Sequence, residues 1–316
     1  MSTQEDVEYI DEVEEEESPF LPDTNIQFAW DSTSLEYIKR CPRLYYYKMI
    51  VGYTSNEEDV NLRFGAEFHQ TLHDYQLLIA DDIEHDEAMF LAIKELLLRT
   101  DEWRPENKYK NRPFLIRSVI RYLDKYKDDP CKTVVRPDGT PAVELSFRLE
   151  LEYGPTPEQP YILCGHIDRM VESQGTEFFM DYKTTTTTPS NWYWDQFHPH
   201  NQMTLYTFAA NVIFDTPIKG GIVRSGQIMI EDTRFTEGMT YRTEGEIEEW
   251  LFDLKHWLVM AKTYAENNYW PMNDTACDKY GGCKFRSVCS KAPGVRDKFI
   301  KADFKEQPIW NPLRAR

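Results

Sequence analysis

The stretch Gly165-His166-Ile167-Asp168-Arg169, followed by Asp181-Tyr182-Lys183-Thr184, decides how the rest of the chain is read. Tyr161-Ile162-Leu163-Cys164 leads into the first segment, and Met170-Val171-Glu172 continues past it. Ser173-Gln174-Gly175-Thr176 is turn material. Glu177-Phe178-Phe179-Met180 then leads into Asp181. Two runs rich in Phe, Ile, Met and Val around a short polar turn predict a pair of adjacent strands. Residues two apart on a strand share a face. Asp181 and Lys183 therefore project together, and Tyr182 projects the other way. Pairing across the turn brings Asp168 within reach of Asp181, so two carboxylates and an ammonium converge at the end of a sheet.

That constellation suits metal-dependent phosphodiester cleavage. Hard oxygen ligands such as Asp168 and Asp181 hold Mg²⁺ or Mn²⁺. The metal polarises a phosphoryl oxygen and lowers the pKa of a bound water. A lysine beside it orients the water and offsets developing negative charge. The competing reading is an exposed hairpin with solvated charges. The apolar sequence around the charges weighs against it.

Further stretches fit the same picture: Gly65-Ala66-Glu67-Phe68-His69, Gln202-Met203-Thr204-Leu205-Tyr206, and cysteines at the two ends. Together with the hairpin they resemble the PD-(D/E)XK nuclease superfamily, in its RecB-like branch, over most of residues 32–290. That branch includes CRISPR-adaptation exonucleases and many phage exonucleases. The resemblance implies an α/β, restriction-endonuclease-like fold: a mixed sheet core flanked by helices, with a helical insert and a Cys-rich cap. It also implies that His69, Asp168 and Asp181 hold the metal, with the Tyr182 backbone carbonyl adding an oxygen. Lys183 then positions water or stabilises the phosphate, and Gln202 and Tyr206 line the site. Taken alone, His69 is more often a core or surface histidine, and His73, one turn on, competes with it.

Cys277, Cys283 and Cys289 follow a C-x5-C-x5-C spacing. Thiolates bind zinc or iron–sulfur clusters well. Such a grouping is hard to explain as packing, and Cys41 supplies a fourth ligand if the chain ends meet. The resemblance implies a [4Fe-4S] cluster, with a structural Zn²⁺ as the alternative. The x5 spacing departs from the tighter C-x2-C of many relatives. Cys131 and Cys164 read as core.

The net charge of −18 argues at first against nucleic acid. Residues 1–19 hold nine of the 54 acids and no base, so the remainder carries 45 acids against 36 bases. Local basic patches must then contact DNA. No apolar run approaches the ~18 residues of a membrane span. The acidic N-terminus excludes a secretory signal. The expectation is a cytoplasmic protein, in host cytoplasm if phage-encoded, with no membrane partner.

The expected layout is an acidic disordered tail over 1–24, a nuclease domain over 25–297 and a C-terminal tail over 298–316. Within the domain, 58–128 is a helical insert, and 32–50 with 270–292 forms the cap. Phe64, Phe68, Leu72, Tyr75 and Leu78 recur at helical spacing. Two more amphipathic helices follow at 86–100 and 112–126, joined by a basic loop with Arg104, Lys108, Lys110 and Arg112. Residues 142–151 alternate as a strand opened by Glu144, which is either a third metal carboxylate or part of a solvated face. Residues 184–199 read as a loop, in which Trp192 and Trp194 either stack on bases or anchor the chain. The acidic tail is a candidate dock for a basic or DNA-binding protein. The expected activity is exonuclease cleavage at DNA ends or on single strands, in phage DNA recombination, replication or degradation. The alternatives are a catalytically silent nucleic-acid-binding module and a nuclease subunit that depends on a partner.

Overall fold

The computed structural model describes residues 17–214 and 216–314. Residues 1–16, which make up most of the expected acidic tail, lie outside the described residues, as do Asp215, Ala315 and Arg316. The remainder of that tail is ordered. Phe20 bridges Gln27, the Leu21 N–H donates to the Ile26 carbonyl, and Leu21 packs beside Phe28. Its apolar residues outweigh the charge that suggested disorder.

β1 (Ala29–Trp30) leads to α1 (Ser32–Arg40), which Asp31 caps through a reciprocal capping box with Ser34. α2 (Pro42–Tyr45), a π turn and β2 (Tyr53–Ser55) follow. The insert is α3 (Val60–Ala80), α4 (His85–Arg99) and α5 (Arg112–Lys125), close to the periodicity in the sequence. β3 (Lys132–Thr133), β4 (Val143–Glu150), β5 (Ile162–Ser173) and β6 (Thr176–Thr185) come next. Then come α6 (Asn191–Asp195), α7 (Asn201–Ile213), β7 (Gly220–Ile228) and β8 (Thr233–Tyr241). α8 (Glu244–Glu266), α9 (Arg286–Cys289), α10 (Arg296–Asp303) and β9 (Phe304–Glu306) complete the order.

The sheet runs β1-β5-β6-β7-β8, with β3 and β4 also paired to β5. β6 and β7 are parallel, whereas β4–β5, β5–β6 and β7–β8 are antiparallel. This is the mixed sheet expected. Ser173 pairs with Thr176, and Gln174 and Gly175 take φ of 54° and 77°, as a tight two-residue hairpin turn requires. The insert covers one face, packing Phe64, Phe68, Leu115 and Val119 with Met180, Tyr182 and Ile222. α1, α7 and α8 cover the other, packing Leu35, Leu205 and Leu254 with Phe179 and Val223. Gly221 permits this layering, because a Cβ there would sit 2.1 Å from the Phe179 ring.

A buried ion network ties the insert to the sheet. Asp129, just after α5, accepts from both Arg224 terminal nitrogens at 2.6 and 2.8 Å, and from Arg169 at 3.4 Å. Arg224 also lies over the Tyr126 ring at 3.9 Å.

Two expected segments differ. Residues 184–199 are not all loop: β6 continues through Thr185, and α6 occupies Asn191–Asp195. The β-branched threonines extend the strand. Residues 298–314 of the expected C-terminal tail pack onto the cap. α10 and β9 bury Ile300 and Phe304 beside Phe285, β9 pairs with β2, and Trp310 Nε1 donates to Asp31. Ile300 and Phe304, four residues apart, give the apolar spacing that anchors them. Among the described residues, no helix is long and apolar enough to cross a membrane.

Candidate active site

β5 and β6 stop pairing at Arg169–Met180. Immediately beyond, Asp168 Oδ2 accepts the Tyr182 N–H at 2.9 Å, a carboxylate taking the place of a ladder carbonyl. The strands part here, β5 continuing beside β4 and β6 beside β7. Asp168 and Asp181 stand at this fork.

α3 carries His69 over the fork. Its Nδ1 lies 3.2 Å from Asp168 Oδ2, and its ring meets the Tyr182 ring edge-on at 5.9 Å. Tyr182 is buried on the insert side, opposite Asp181 and Lys183, as strand alternation requires. Lys183 Nζ sits 3.0 and 2.9 Å from the two Asp181 oxygens and 2.9 Å from Gln202 Oε1. Gln202 Nε2 donates to Tyr206 Oη at 3.0 Å. An ammonium only donates, so the amide oxygen must face Lys183 and the amide nitrogen Tyr206. α7 sets these two side chains one turn apart.

Glu144 joins the same group. It falls between the pairs Val143–Arg169 and Leu145–Ile167, opposite Asp168. One ligand atom each of His69, Glu144 and Asp168 lie within 4.8 Å of one another. Glu144 has a φ of 46°, a left-handed backbone that costs a non-glycine residue about 1–3 kcal/mol. Strand alternation alone left it between ligand and solvated face; a kink at one residue has no mark in the sequence.

The electrostatics follow from burial. Asp181 is fully buried; burial and the Asp168 charge raise its carboxyl, Lys183 pulls it down, and it settles at about 6. Burial also pushes Asp168 up, but the His69 imidazole, Lys183 and the Tyr182 N–H outweigh it and hold it below the usual carboxylate range. Burial lowers His69, yet Asp168 overcomes this and raises it. Burial lowers Lys183 as well, and Asp181 and Asp168 more than restore it, so Lys183 stays charged. Burial, with both aspartates, keeps the Tyr206 phenol neutral. Burial, then Lys183 and Arg242, push His200 down to about 4.

The basic loop divides: Arg104 and Lys108 are exposed, whereas Lys110 and Arg112 turn inward. Lys110 is 5% exposed and donates to Thr184 O and Oγ1 at 3.3 and 3.1 Å. Arg112 donates to Thr100 Oγ1 and Leu97 O, and Arg104 to the Trp103 carbonyl. Lys110 fastens the insert to the strand that carries Lys183, while Arg104 and Arg112 bond groups at and just past the end of α4, where carbonyls lack helical partners. The two tryptophans divide between the readings offered for them. Trp194 packs over Gly238, where a Cβ would sit 2.5 Å from its ring, whereas Trp192 is 78% exposed. Tyr193 between them hydrogen-bonds Ser225 at 2.7 Å, and its hydroxyl is felt electrostatically by Lys183.

In the cap, cysteines from both ends of the chain come together. Cys41, Cys283 and Cys289 pack in one apolar cluster with Leu44, Tyr47, Phe285 and Val288. Cys41 Sγ accepts the Asn273 N–H at 3.3 Å, and the Cys277 carbonyl accepts the Cys283 N–H at 2.8 Å. All are unbridged. Burial, then Cys283, raises the Cys289 thiol to about 11. Cys131 and Cys164 are buried in the core, as read.

A family model described as the PD-(D/E)XK nuclease superfamily matches residues 30–290. The chain belongs to the PD-(D/E)XK nuclease superfamily. This places it among nucleases, hydrolases acting on nucleic acid. Among solved structures, it is similar to a crystal structure described as that of a "Putative exonuclease" from Eubacterium rectale. The TM-score is 0.48 and the identity 10%, over 79% of this chain and 86% of that one. It is also similar to the crystal structure of SSO0001, with a TM-score of 0.31 and 12% identity, over 74% of this chain and 76% of that one. No curated protein matches the sequence.

Proposed function

We propose that this nuclease is a metal-dependent DNA exonuclease of the RecB-like branch that acts on DNA ends or single strands. The observation that carries the reading is one connected constellation. His69, Glu144 and Asp168 gather on one side of the fork, and Asp181, Lys183, Gln202 and Tyr206 form a hydrogen-bonded chain on the other.

The donor set fits a hard divalent cation: carboxylate oxygens with one imidazole. His69, Asp168 and Asp181 would hold Mg²⁺ or Mn²⁺, with Glu144 and the Tyr182 carbonyl as further oxygens. When bound, the ion supplies Lewis acidity toward a phosphoryl oxygen and a more acidic water. The protein's own groups do the rest. Lys183, held between Asp181 and Gln202, keeps a fixed positive charge for a phosphate oxygen. Gln202 prevents the ammonium from swinging away, and Tyr206 fixes Gln202. Asp168 is kept in place by the Tyr182 N–H and orients His69. Hydrolysis forms a water-oxygen–phosphorus bond, breaks the bond to one sugar oxygen, and passes a proton to that leaving oxygen.

The same reading assigns a [4Fe-4S] cluster to Cys41, Cys277, Cys283 and Cys289. Support comes from the packing of Cys41, Cys283 and Cys289 in one apolar cluster with Phe285, and from the nearness of Cys277 to Cys283. The cluster would be a structural staple of the cap. Residues 25–297 would be the nuclease domain, working in phage DNA recombination, replication or degradation, in host cytoplasm. The acidic residues 1–16 would dock a basic partner.

The test is cleavage of end-labelled single- and double-stranded DNA with Mg²⁺ or Mn²⁺. Wild type should digest from ends, and Lys183→Ala and Asp181→Ala should each lose at least ~10²-fold in rate. A folded wild type that cuts neither substrate would instead mark a silent binding module or a partner-dependent subunit.

A further inference from the structure

A cleft of about 750 Å³ lies between the cysteine-rich cap and α3. Lysines from three separate segments line it. Lys305 on β9 is the cross-strand partner of Thr54 on β2, so the two side chains share a face. Lys48, from the π turn after α2, reaches the same Thr54, its Nζ 3.4 Å from Oγ1. Lys284 directly follows Cys283 and lines the same cleft. Burial, and then the charge of Lys284, push the Lys48 ammonium below its ordinary value.

Glu57, Glu58 and Asp59 line the cleft too, and the Asp59 charge acts on Lys48, but two of these three carboxylates are engaged elsewhere. Asp59 caps α3, accepting the Asn61 and Leu62 N–H groups at 3.0 and 3.2 Å. Glu58 accepts from Trp103 Nε1 at 2.9 Å and pairs with Arg63. Among the described residues, none of the three lysines has a carboxylate oxygen within 4.0 Å. Like charges gathered this way repel unless an anion sits among them. On a chain of net charge −18, the gathering is the more telling.

One wall of the cleft is α3, the helix that carries His69. Ala66 of α3 lines it, and His69 lies on the same helix face, about 4.5 Å farther along the axis.

We propose that Lys48, Lys284 and Lys305 form a phosphate station that holds the backbone of the DNA strand flanking the scissile phosphate. The proposal rests on the nuclease reading above and adds the path of the strand, from the cap along α3 to the fork of β5 and β6. Lysine binds phosphate as a point charge, so the station grips any sequence. It also gives the cap a role in substrate binding, because Lys284 is placed by the cysteine segment.

The experiment is fluorescence anisotropy of a labelled single-stranded oligonucleotide in EDTA, across a salt series, with the full chain. Each phosphate neutralised on a single strand contributes about −0.7 to the slope of log affinity against log salt. Lys48→Gln/Lys284→Gln/Lys305→Gln should therefore flatten the wild-type slope by about 2. The corresponding triple Arg variant should keep it. Should the triple Gln variant not fold, each single Gln variant should flatten the slope by about 0.7. An unchanged slope, or a wild type that binds no oligonucleotide, overturns the proposal. Failure of the nuclease reading shows separately, as a wild type that binds but does not cut with Mg²⁺ or Mn²⁺; the slope comparison then still decides the station.

Discussion

Metal affinity should fall steeply as pH drops through 6. In the metal-free protein, burial and the neighbouring Asp168 hold Asp181 at about 6, so its neutral form is favoured below that pH. Asp168 holds His69 above its ordinary value against the pull of burial, so the imidazolium persists into the same range. A cation takes the ionised carboxylate and the neutral imidazole, so both protons must leave on binding. The sign follows: a carboxyl with a raised pKa resists the metal below that pKa and yields to it above. Asp168, held below the usual range, stays ionised and adds no slope. Below pH 6, two competing protons cost about a hundredfold in affinity per pH unit, or about 2.7 kcal/mol. Just above 6 only His69 competes, and the slope falls toward one before vanishing. Calorimetric titration with Mn²⁺ from about pH 5 to 8, in buffers of different ionisation enthalpy, reads both the affinity and the protons released. Asp181→Asn should lower the affinity and remove one unit of slope, and so should His69→Gln. Flat affinity from pH 5 to 7, or an Asp181→Asn variant that keeps the full slope, would refute the assignment of these two residues as ligands.

Other consequences can be measured independently. Asp129→Asn leaves Arg169 buried without a counter-charge and Arg224 with Glu237 alone, and should cost about 3–5 kcal/mol, because an uncompensated charge remains in the core. A scanning melt should show a midpoint lower by roughly 10 °C, and a fall of under about 2 °C would count against the network. Cys283→Ala should lose iron and any brown absorbance near ~400 nm, together with stability of the cap; metal analysis that finds zinc in wild type would replace the iron–sulfur assignment. Trp192→Ala should weaken single-strand binding by about 1–3 kcal/mol, roughly 5- to 150-fold, if the exposed indole stacks on a base. Duplex affinity, measured in parallel, should hardly move.

The sequence by itself determined the local elements and which side chains of the candidate site share a face. The alternation around Asp168 and Asp-Tyr-Lys, with turn residues at Gln174-Gly175, fixed a hairpin, its register and the shared face of Asp181 and Lys183, because side-chain direction on a strand is a matter of parity. The helical spacing of Phe64, Phe68 and Leu72 gave α3 and hence the turn that carries His69. The tertiary structure decided what depends on partners far apart in the chain. That Lys110 is buried against Thr184, that Ile300 and Phe304 close over Phe285, and that Lys48, Lys284 and Lys305 meet around one cleft follows only when separated segments pack. Glu144 takes its place beside His69 and Asp168 with a left-handed backbone, and Asp181 is lifted to about 6 because the fold removes water from it. Propensity and periodicity act over a few residues and can be read along the chain. Burial, charge and the meeting of distant side chains are properties of the packed state, and exist only once it has formed.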